Sequence, residues 1–224
     1  MRCECTLLSP ARGRRRLMMR IDSAFSETVA RAVRDAERGT SAEIVVVVAA
    51  RSGSYLDVAL VGGALCAAAA LAGALFAPAT IHPAWVMVEI PIVFGAGAWL
   101  VHRAGAILGR MIPSARARMQ VERAAASHFV SEAVHGVRGR TGLLVYVSRL
   151  EGRVAIVPDL GLDAAVHRPV WSTVRFAESG EVLRVRSTQD LLRGIAGLGE
   201  LLRERAPVGR DDVNELPDAP RIVP

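Results

Sequence analysis

Two long apolar runs dominate the hydrophobic pattern of this chain. The first, residues 58–77, contains no charged residue; as a helix it would be roughly 30 Å long, one hydrocarbon thickness of a bilayer. The second, residues 85–101, contains Glu89 and Pro91 and has a tryptophan near each end, a pattern typical of membrane interfaces. The two runs predict a two-helix transmembrane hairpin over residues 58–101. A buried hairpin in a soluble core is the alternative.

The chain before the hairpin predicts the beginning of a soluble α/β domain. A helix is expected with Ser26 as its N-cap and Gly39 as its stop. It leads into residues 44–50, a continuous apolar run that is typical of a strand buried on both faces. Such a strand needs partners, and the hairpin follows only a few residues later. The partners must therefore lie beyond the hairpin.

The chain beyond the hairpin supplies these partners. It predicts a helix over residues 114–138 and an antiparallel β-hairpin formed by residues 143–148 and 153–157. Because two spans return the chain to the side it left, the first strand can pair in parallel with this β-hairpin. The predicted fold class is α/β, with a small mixed sheet that is flanked by helices and interrupted by the transmembrane hairpin.

The remaining segments complete the predicted organisation. A closing helix starts at the near capping box of Ser187 and Asp190, and residues 181–186 stay open between helix and strand. A short helix is expected from Pro169, carrying three apolar residues: Trp171, Val174 and Phe176. The predicted parts are a disordered Arg-rich tail (1–20), the first part of the domain (21–57), the hairpin (58–101), the second part (102–206) and an irregular C-terminal extension (207–224).

The charges of the chain predict its orientation and its partners. The formal net charge is +6, and every basic side chain is an arginine. Arg38 and Arg51 precede the first apolar run and Arg103 and Arg110 follow the second, whereas residues 78–84 between the runs contain none. The positive-inside rule therefore places the soluble domain in the cytoplasm. The arginines are scattered and only 4% of residues are aromatic, which indicates contact with the lipid bilayer and no nucleic acid partner.

Two stretches of the sequence resemble a known family. TSAEIVVVVAARSGSY before the hairpin and RTGLLVYVSRLEGRVAIVPDLGL after it are similar to the TPM-domain family of bacterial membrane proteins. The resemblance implies a TPM-like α/β sandwich in the bacterial inner (plasma) membrane. Other members of the broader family include chloroplast lumenal proteins described as phosphatases with bound calcium, and animal proteins that associate with channels. Because these roles differ, the resemblance implies a fold more than a reaction.

One helical group of side chains suggests a metal site. His128, Glu132 and His135 stand at positions i, i+4 and i+7 of the helix predicted over residues 114–138, so they would share one face. Imidazole and carboxylate groups are ligands of transition metals. A solvated helical face carrying the same residues is the alternative.

An acidic loop suggests a second site. Asp159 and Asp163 bracket Gly161 just after the last predicted strand, and Glu151 lies in the turn of the same β-hairpin. Oxygen ligands on such a loop suit Ca²⁺, although its cage needs six or more oxygens and the spacing is not that of an EF-hand. In the alternative interpretation, Asp159 caps a turn and Asp163 caps the helix that follows.

Two functional hypotheses result. The favoured one is an interaction or support module for a membrane complex, with a membrane protein partner and no cofactor. The alternative is a cation-dependent phosphoester hydrolase, for which Ca²⁺ would be the cofactor. No Walker loop, nucleophile elbow or Rossmann fingerprint accompanies either hypothesis. The candidate residues of the hydrolase are Asp159, Asp163, Glu151 and His135.

Glu89 is an ionisable residue inside a predicted span. It follows Trp85 by four residues, about 6 Å of helix, so we expect its carboxylate to reach the outer interface. Glu89→Gln is therefore expected to leave membrane insertion and abundance nearly unchanged. A buried partner for the carboxylate is the alternative.

Overall fold

A four-stranded mixed sheet forms the centre of the computed structural model, which describes residues 19, 21–76, 82–105, 109, 112–166, 168–171, 174, 176, 184–208 and 215–224. The strands are β1 (Glu43–Ala49), β2 (Gly142–Ser148), β3 (Arg153–Pro158) and β4 (Arg221–Val223), in the spatial order β3-β2-β1-β4. The helices are α1 (Ser23–Glu37), α2 (Leu56–Phe76), α3 (Pro83–Arg103), α4 (Ser114–Ser131), α5 (Leu160–Ala165), α6 (Arg168–Trp171) and α7 (Thr188–Arg205).

The central strands confirm the predicted topology. β1 and β2 run parallel from Glu43 opposite Gly142 to Ala49 opposite Ser148, and β2 and β3 form the antiparallel hairpin. Every residue of β1 and β2 is buried. This is the burial expected of strands covered on both faces. α1 and α7 pack on one face of the sheet and α4 on the other, so α2, α3 and α4 together make the crossover between the two parallel strands.

Two predicted helix ends were wrong. Asp22, and not Ser26, is the N-cap of α1, since its carboxylate accepts a 2.8 Å hydrogen bond from the backbone N–H of Phe25. α4 ends at Ser131, seven residues before the predicted end at residue 138. Ala133 adopts a left-handed conformation with φ 54°, which no α-helix can continue through. The predicted capping box of the closing helix is confirmed. The Ser187 hydroxyl accepts a hydrogen bond from the backbone N–H of Asp190, and the Asp190 carboxylate accepts one from the backbone N–H of Ser187.

The C-terminal segment is not an irregular extension throughout. β4 pairs in parallel with β1, with Arg221 opposite Val47 and Val223 opposite Ala49.

The helix predicted from Pro169 is shorter than expected, because α6 ends at Trp171 and the buried Phe176 follows outside it. Residues 181–183 of the open segment lie outside the described residues, as does most of the predicted N-terminal tail; Met19, however, is described and is buried in the core.

The two apolar helices form a tight antiparallel pair. A Cβ at Gly63 would stand 2.6 Å from the carbonyl oxygen of Phe94, and one at Gly97 would stand 2.9 Å from the Cβ of Cys66. Only glycine permits so close an approach. Gly95 faces open space, since a Cβ there would meet nothing within 4 Å. Both helices are long and apolar enough to cross a membrane, and only 28% and 6% of their most apolar stretches are buried, so neither is a core helix of the soluble domain.

Candidate functional site

A polar cluster lies where the sheet meets the apolar hairpin. Its centre is Glu151, in the turn between β2 and β3. Oε1 of Glu151 accepts hydrogen bonds from the backbone N–H of Ser52 at 3.0 Å and from the hydroxyl of Tyr55 at 2.6 Å. Oε2 accepts a hydrogen bond from the hydroxyl of Ser148. The carboxylate therefore joins the β2–β3 turn to the segment that leads from β1 into α2.

Two tyrosines enclose this cluster. Tyr55 and Tyr146 are both buried, and the hydroxyl of Ser52 donates a 3.2 Å hydrogen bond to the Tyr146 hydroxyl. Burial raises the pKa of Tyr55 above its ordinary value, and the adjacent Glu151 carboxylate raises it further. Burial likewise raises the pKa of Tyr146. Both hydroxyls are therefore protonated at neutral pH; that of Tyr55 donates to Glu151 and that of Tyr146 accepts from Ser52.

Arg116 fastens the first turn of α4 to the same junction. Its guanidinium forms an ion pair with Asp57, the second residue of α2, including one hydrogen bond of 3.0 Å. It also lies over the Tyr55 ring, 5.6 Å from the ring centroid. Beneath these polar contacts, Tyr55 packs with the buried Ile112 and Ala117. The two ends of the hairpin are thus held by one connected set of polar and apolar contacts.

Asp159 lies at the opposite end of the β2–β3 hairpin. It is the N-cap of α5 and accepts a 2.8 Å hydrogen bond from the backbone N–H of Leu160. The residue is 3% exposed, and its Oδ2 has no hydrogen-bond partner among the described residues. Nη1 of Arg140 stands 3.7 Å from Oδ1. Asp159 therefore has the predicted capping role, whereas Asp163 lies in the first turn of α5 and is not its N-cap.

Backbone atoms approach closely at Gly161, two residues beyond this aspartate. A Cβ at Gly161 would stand 2.6 Å from the carbonyl oxygen of Arg140 and would also overlap that of Gly139. Both of these residues have positive φ, 58° for Arg140 and 73° for Gly139. Their left-handed conformations direct the two carbonyl oxygens toward Gly161. Glycine at position 161 is required by this approach. Asp159 and two carbonyl oxygens thus share one small region.

The structure does not bring the four candidate hydrolase residues together. Glu151 and Asp159 stand at the two ends of β3, about 20 Å apart at the rise of a six-residue strand. His135 belongs to the Asp159 end, because its carbonyl accepts a 3.1 Å hydrogen bond from Arg140. Asp163 is one helical turn beyond Asp159. A single site with all four residues is therefore excluded by the register of the strands.

The proposed helical metal face is also not formed. His135 lies in a 3-10 turn beyond α4, and the three side chains contact different partners. His128 stacks on Tyr146 with ring centroids 5.4 Å apart, and Glu132 forms a 3.3 Å ion pair with Arg221. Within the described part of the chain, no group of three or more His, Cys, Asp or Glu side chains could hold a metal ion.

One acidic group was missed by the sequence analysis. Oε1 of Glu37 accepts a 2.7 Å hydrogen bond from the backbone N–H of Ile44, at the start of β1. The pKa of Glu37 is raised to about 8, chiefly by burial and also by the nearby carboxylates of Glu43 and Asp218, against the opposing effects of the Ile44 hydrogen bond and of Arg34. Glu43 and Ile44 begin β1 and Asp218 lies near the C-terminus, so this group forms only when these segments pack against the end of α1.

The residues around Glu151 were also missed as partners. Ser52 and Tyr55 directly follow β1, and Ser148 is the last residue of β2. A usable signal was present, because polar residues that follow parallel strands meet at one edge of a sheet. The sequence analysis instead grouped Glu151 with Asp159, Asp163 and His135 as candidates for the alternative hydrolase function.

Comparisons with known proteins support the fold alone. No protein-family model matches this chain, and no curated protein matches its sequence. Among solved structures, the chain is similar to the NMR structure of the BA42 protein from the psychrophilic bacterium Bizionia argentinensis. The two share 19% sequence identity over 90% of this chain and 94% of that one, with a TM-score of 0.51. At this level of identity, the likeness carries no information about activity.

Proposed function

We propose that this chain is an integral protein of the bacterial inner membrane, in which α2 and α3 cross the bilayer. Its TPM-like α/β domain lies in the cytoplasm and acts as an interaction or support module for a membrane complex. The exposed apolar surface of the hairpin supports the membrane location. Phe76 is 88% exposed and Met87 79%, and a soluble monomer rarely exposes a continuous apolar surface of this extent.

The arginines near the hairpin ends support the cytoplasmic orientation. Arg103 ends α3 and its guanidinium lies 5.6 Å from the Trp99 ring centroid. Arg51 and Arg149 are exposed at the edge of the sheet next to the hairpin. Basic side chains next to a span favour the cytoplasmic leaflet.

The Glu151 junction is the observation that carries the proposed role. Its hydrogen bonds to Ser52, Tyr55 and Ser148 fix the β2–β3 turn to the root of the hairpin. A freely tethered domain would need only a flexible linker. A junction of this kind instead holds the domain in one orientation relative to the bilayer. A module that positions a partner needs such a fixed orientation.

The test is the assembly state of the full chain in native membranes. We expect the wild-type chain, extracted in a mild detergent, to run well above its 23.9 kDa monomer mass on a native gel. A membrane protein crosslinked to it should recover the chain when it is tagged in turn. Glu151→Ala should reduce this complex and Glu200→Ala, on an exposed face of α7, should not. A wild-type chain that runs as a monomer and crosslinks to nothing would refute the proposal.

A cation-dependent phosphoester hydrolase is the second candidate. The observation in its favour is the buried Oδ2 of Asp159, which has no hydrogen-bond partner among the described residues. The donor set does not fit a calcium cage, because the Arg140 guanidinium pairs with the same carboxylate and six to eight oxygens are needed. The interaction module is therefore the better supported function.

A further inference from the structure

An ordered line of exposed side chains runs along α3. Its members are separated by four, three, four and three residues, the 3.5-residue repeat with which one helix packs against another. All of them are exposed. The members of this line, here named the outer face of α3, are Trp85, Glu89, Ile92, Ala96 and Trp99.

The outer face is not covered by the hairpin itself. The residues of α3 that approach α2 are Phe94 and Ala98 against Gly63, and Gly97 against Cys66. At 100° per residue, these positions lie on the opposite side of the helix from Ile92 and Trp99. The hairpin therefore leaves a helix-packing surface exposed.

Glu89 makes this surface different from an ordinary lipid contact. α3 begins at Pro83, two residues before the predicted span, which places Glu89 four residues, about 6 Å, from the helix midpoint at Val93. The hydrocarbon extends roughly 15 Å to each side of its centre. A glutamate side chain that leans toward the helix N-terminus covers about 4 Å of the remaining distance. With the midpoint of α3 at the bilayer centre, the carboxylate therefore stays about 5 Å inside the hydrocarbon, short of the outer interface that the distance from Trp85 predicts.

Neither α2 nor α3 satisfies this carboxylate. Within the described part of the chain, no basic group or hydrogen-bond donor contacts Glu89. Pro91 inside the helix also leaves the carbonyl of Met87 without its intrahelical donor. Ionisable groups inside membranes face other helices and pair with a partner. A partner for this carboxylate would therefore come from outside this hairpin.

We propose that the outer face of α3 binds a transmembrane helix of another protein, and that this helix carries an arginine or lysine in the outer half of the bilayer. This inference rests on the proposed membrane function and specifies its partner. Charge complementarity selects the occupant, since a basic side chain both neutralises Glu89 and supplies hydrogen bonds. A second copy of the chain is disfavoured because a symmetric pair would place two Glu89 carboxylates against each other.

The probe is a synthetic Leu-Ala transmembrane helix with one arginine in its outer half, labelled for energy transfer. It is added to the labelled full-length chain in lipid vesicles. We expect the arginine helix to associate about tenfold more tightly with the wild type than with Glu89→Gln. The same helix without arginine should not distinguish the two. Ala64→Gln, which adds an amide to the exposed side of α2, should behave as the wild type.

A charge-reversal variant tests whether a loss of binding merely reflects a misfolded chain. Glu89→Arg should lose the arginine helix and gain a probe helix that carries glutamate at the same depth. Equal binding of the arginine helix to the wild type and Glu89→Gln would overturn the inference. Glu89-dependent self-association without any probe would also overturn it, in favour of a second copy.

Failure of this inference is distinguishable from failure of the proposed function. If Glu89→Gln keeps the native complex at its wild-type size, the partner docks elsewhere and only this inference fails. If the wild-type chain is a monomer in native membranes, the support function itself fails.

Discussion

The hydroxyl of Tyr55 donates a 2.6 Å hydrogen bond to Oε1 of Glu151, across 96 positions of sequence. Tyr55 is the last residue before α2, and Glu151 lies in the turn between β2 and β3. The bond therefore connects the root of the apolar hairpin to the sheet. Burial of the Tyr55 ring excludes water from this contact, which makes the bond stronger and its loss more costly.

Loss of the Glu151 carboxylate should destabilise the domain. Glu151→Ala leaves the Tyr55 and Ser148 hydroxyls and the Ser52 N–H without their acceptor, and we expect a loss of about 2–4 kcal/mol in the free energy of unfolding. Tyr55→Phe removes one bond and should cost about 1–2 kcal/mol. Urea unfolding in detergent, followed by circular dichroism, measures both. If Glu151→Ala unfolds at the same urea concentration as Glu200→Ala, the junction contributes no stability.

The stability of the domain should fall as the pH rises from 4.5 to 8. Burial raises the pKa of Glu37 from 4.5 to about 8, so the folded state holds a proton that the unfolded state releases in this range. The stabilisation is fully present below pH 4.5 and is lost by pH 8, at most about 5 kcal/mol. Glu37→Gln keeps an acceptor for Ile44 N–H and should flatten this part of the pH profile. Thermal unfolding at several pH values compares the two, and parallel profiles would disprove the assignment.

Two glycines of α7 should respond oppositely to alanine. A Cβ at Gly194 would overlap the ring of the fully buried Phe176, whereas one at Gly197 meets nothing within 4 Å. Gly194→Ala should destabilise the domain by about 1–3 kcal/mol through overpacking. Gly197→Ala should stabilise it by about 0.5–1 kcal/mol through helix propensity. Equal effects of the two substitutions on chemical denaturation would contradict this packing of Phe176.

Reporter fusions should establish the topology. A fusion at Arg140, between α4 and β2, should give a cytoplasmic signal because arginines flank the hairpin on this side. A fusion at Thr80, a position outside the described residues, should give the opposite signal. An external signal from the Arg140 fusion would place the α/β domain in the periplasm and reverse the proposed orientation.

Asp159 should have a structural role and no catalytic one. Asp159→Asn keeps an oxygen for the Leu160 N–H but loses the ion pair with Arg140. We expect purified protein to show no phosphatase turnover with Ca²⁺ or Mg²⁺, and the variant to match the wild type. Metal-dependent turnover that Asp159→Asn abolishes, with circular dichroism unchanged, would support the hydrolase over the interaction module.

The sequence by itself determined the central architecture. The continuous apolar residues of β1 and β2 predict that both strands are buried on both faces. The two long apolar runs predict the helical hairpin that separates these strands in the sequence. An even number of apolar helices returns the chain to its sheet, so the order of elements allows the parallel pairing of β1 and β2 that the structure has. The capping box of Ser187 and Asp190 is likewise readable, because both partners lie within one helical turn.

Only the tertiary structure decided the helix ends, the edge strand and the site. α4 ends at Ser131 because the chain turns there to bring the buried Val134 against the sheet, and three residues of β4 acquire strand geometry only by pairing with β1. Glu151 is positioned by Tyr55 from beyond the entire hairpin. Local patterns report which residues are buried, whereas contacts between distant segments depend on how the elements pack. For that reason the sequence offered Glu151 only as a candidate for the alternative hydrolase, whereas packing places it at the junction.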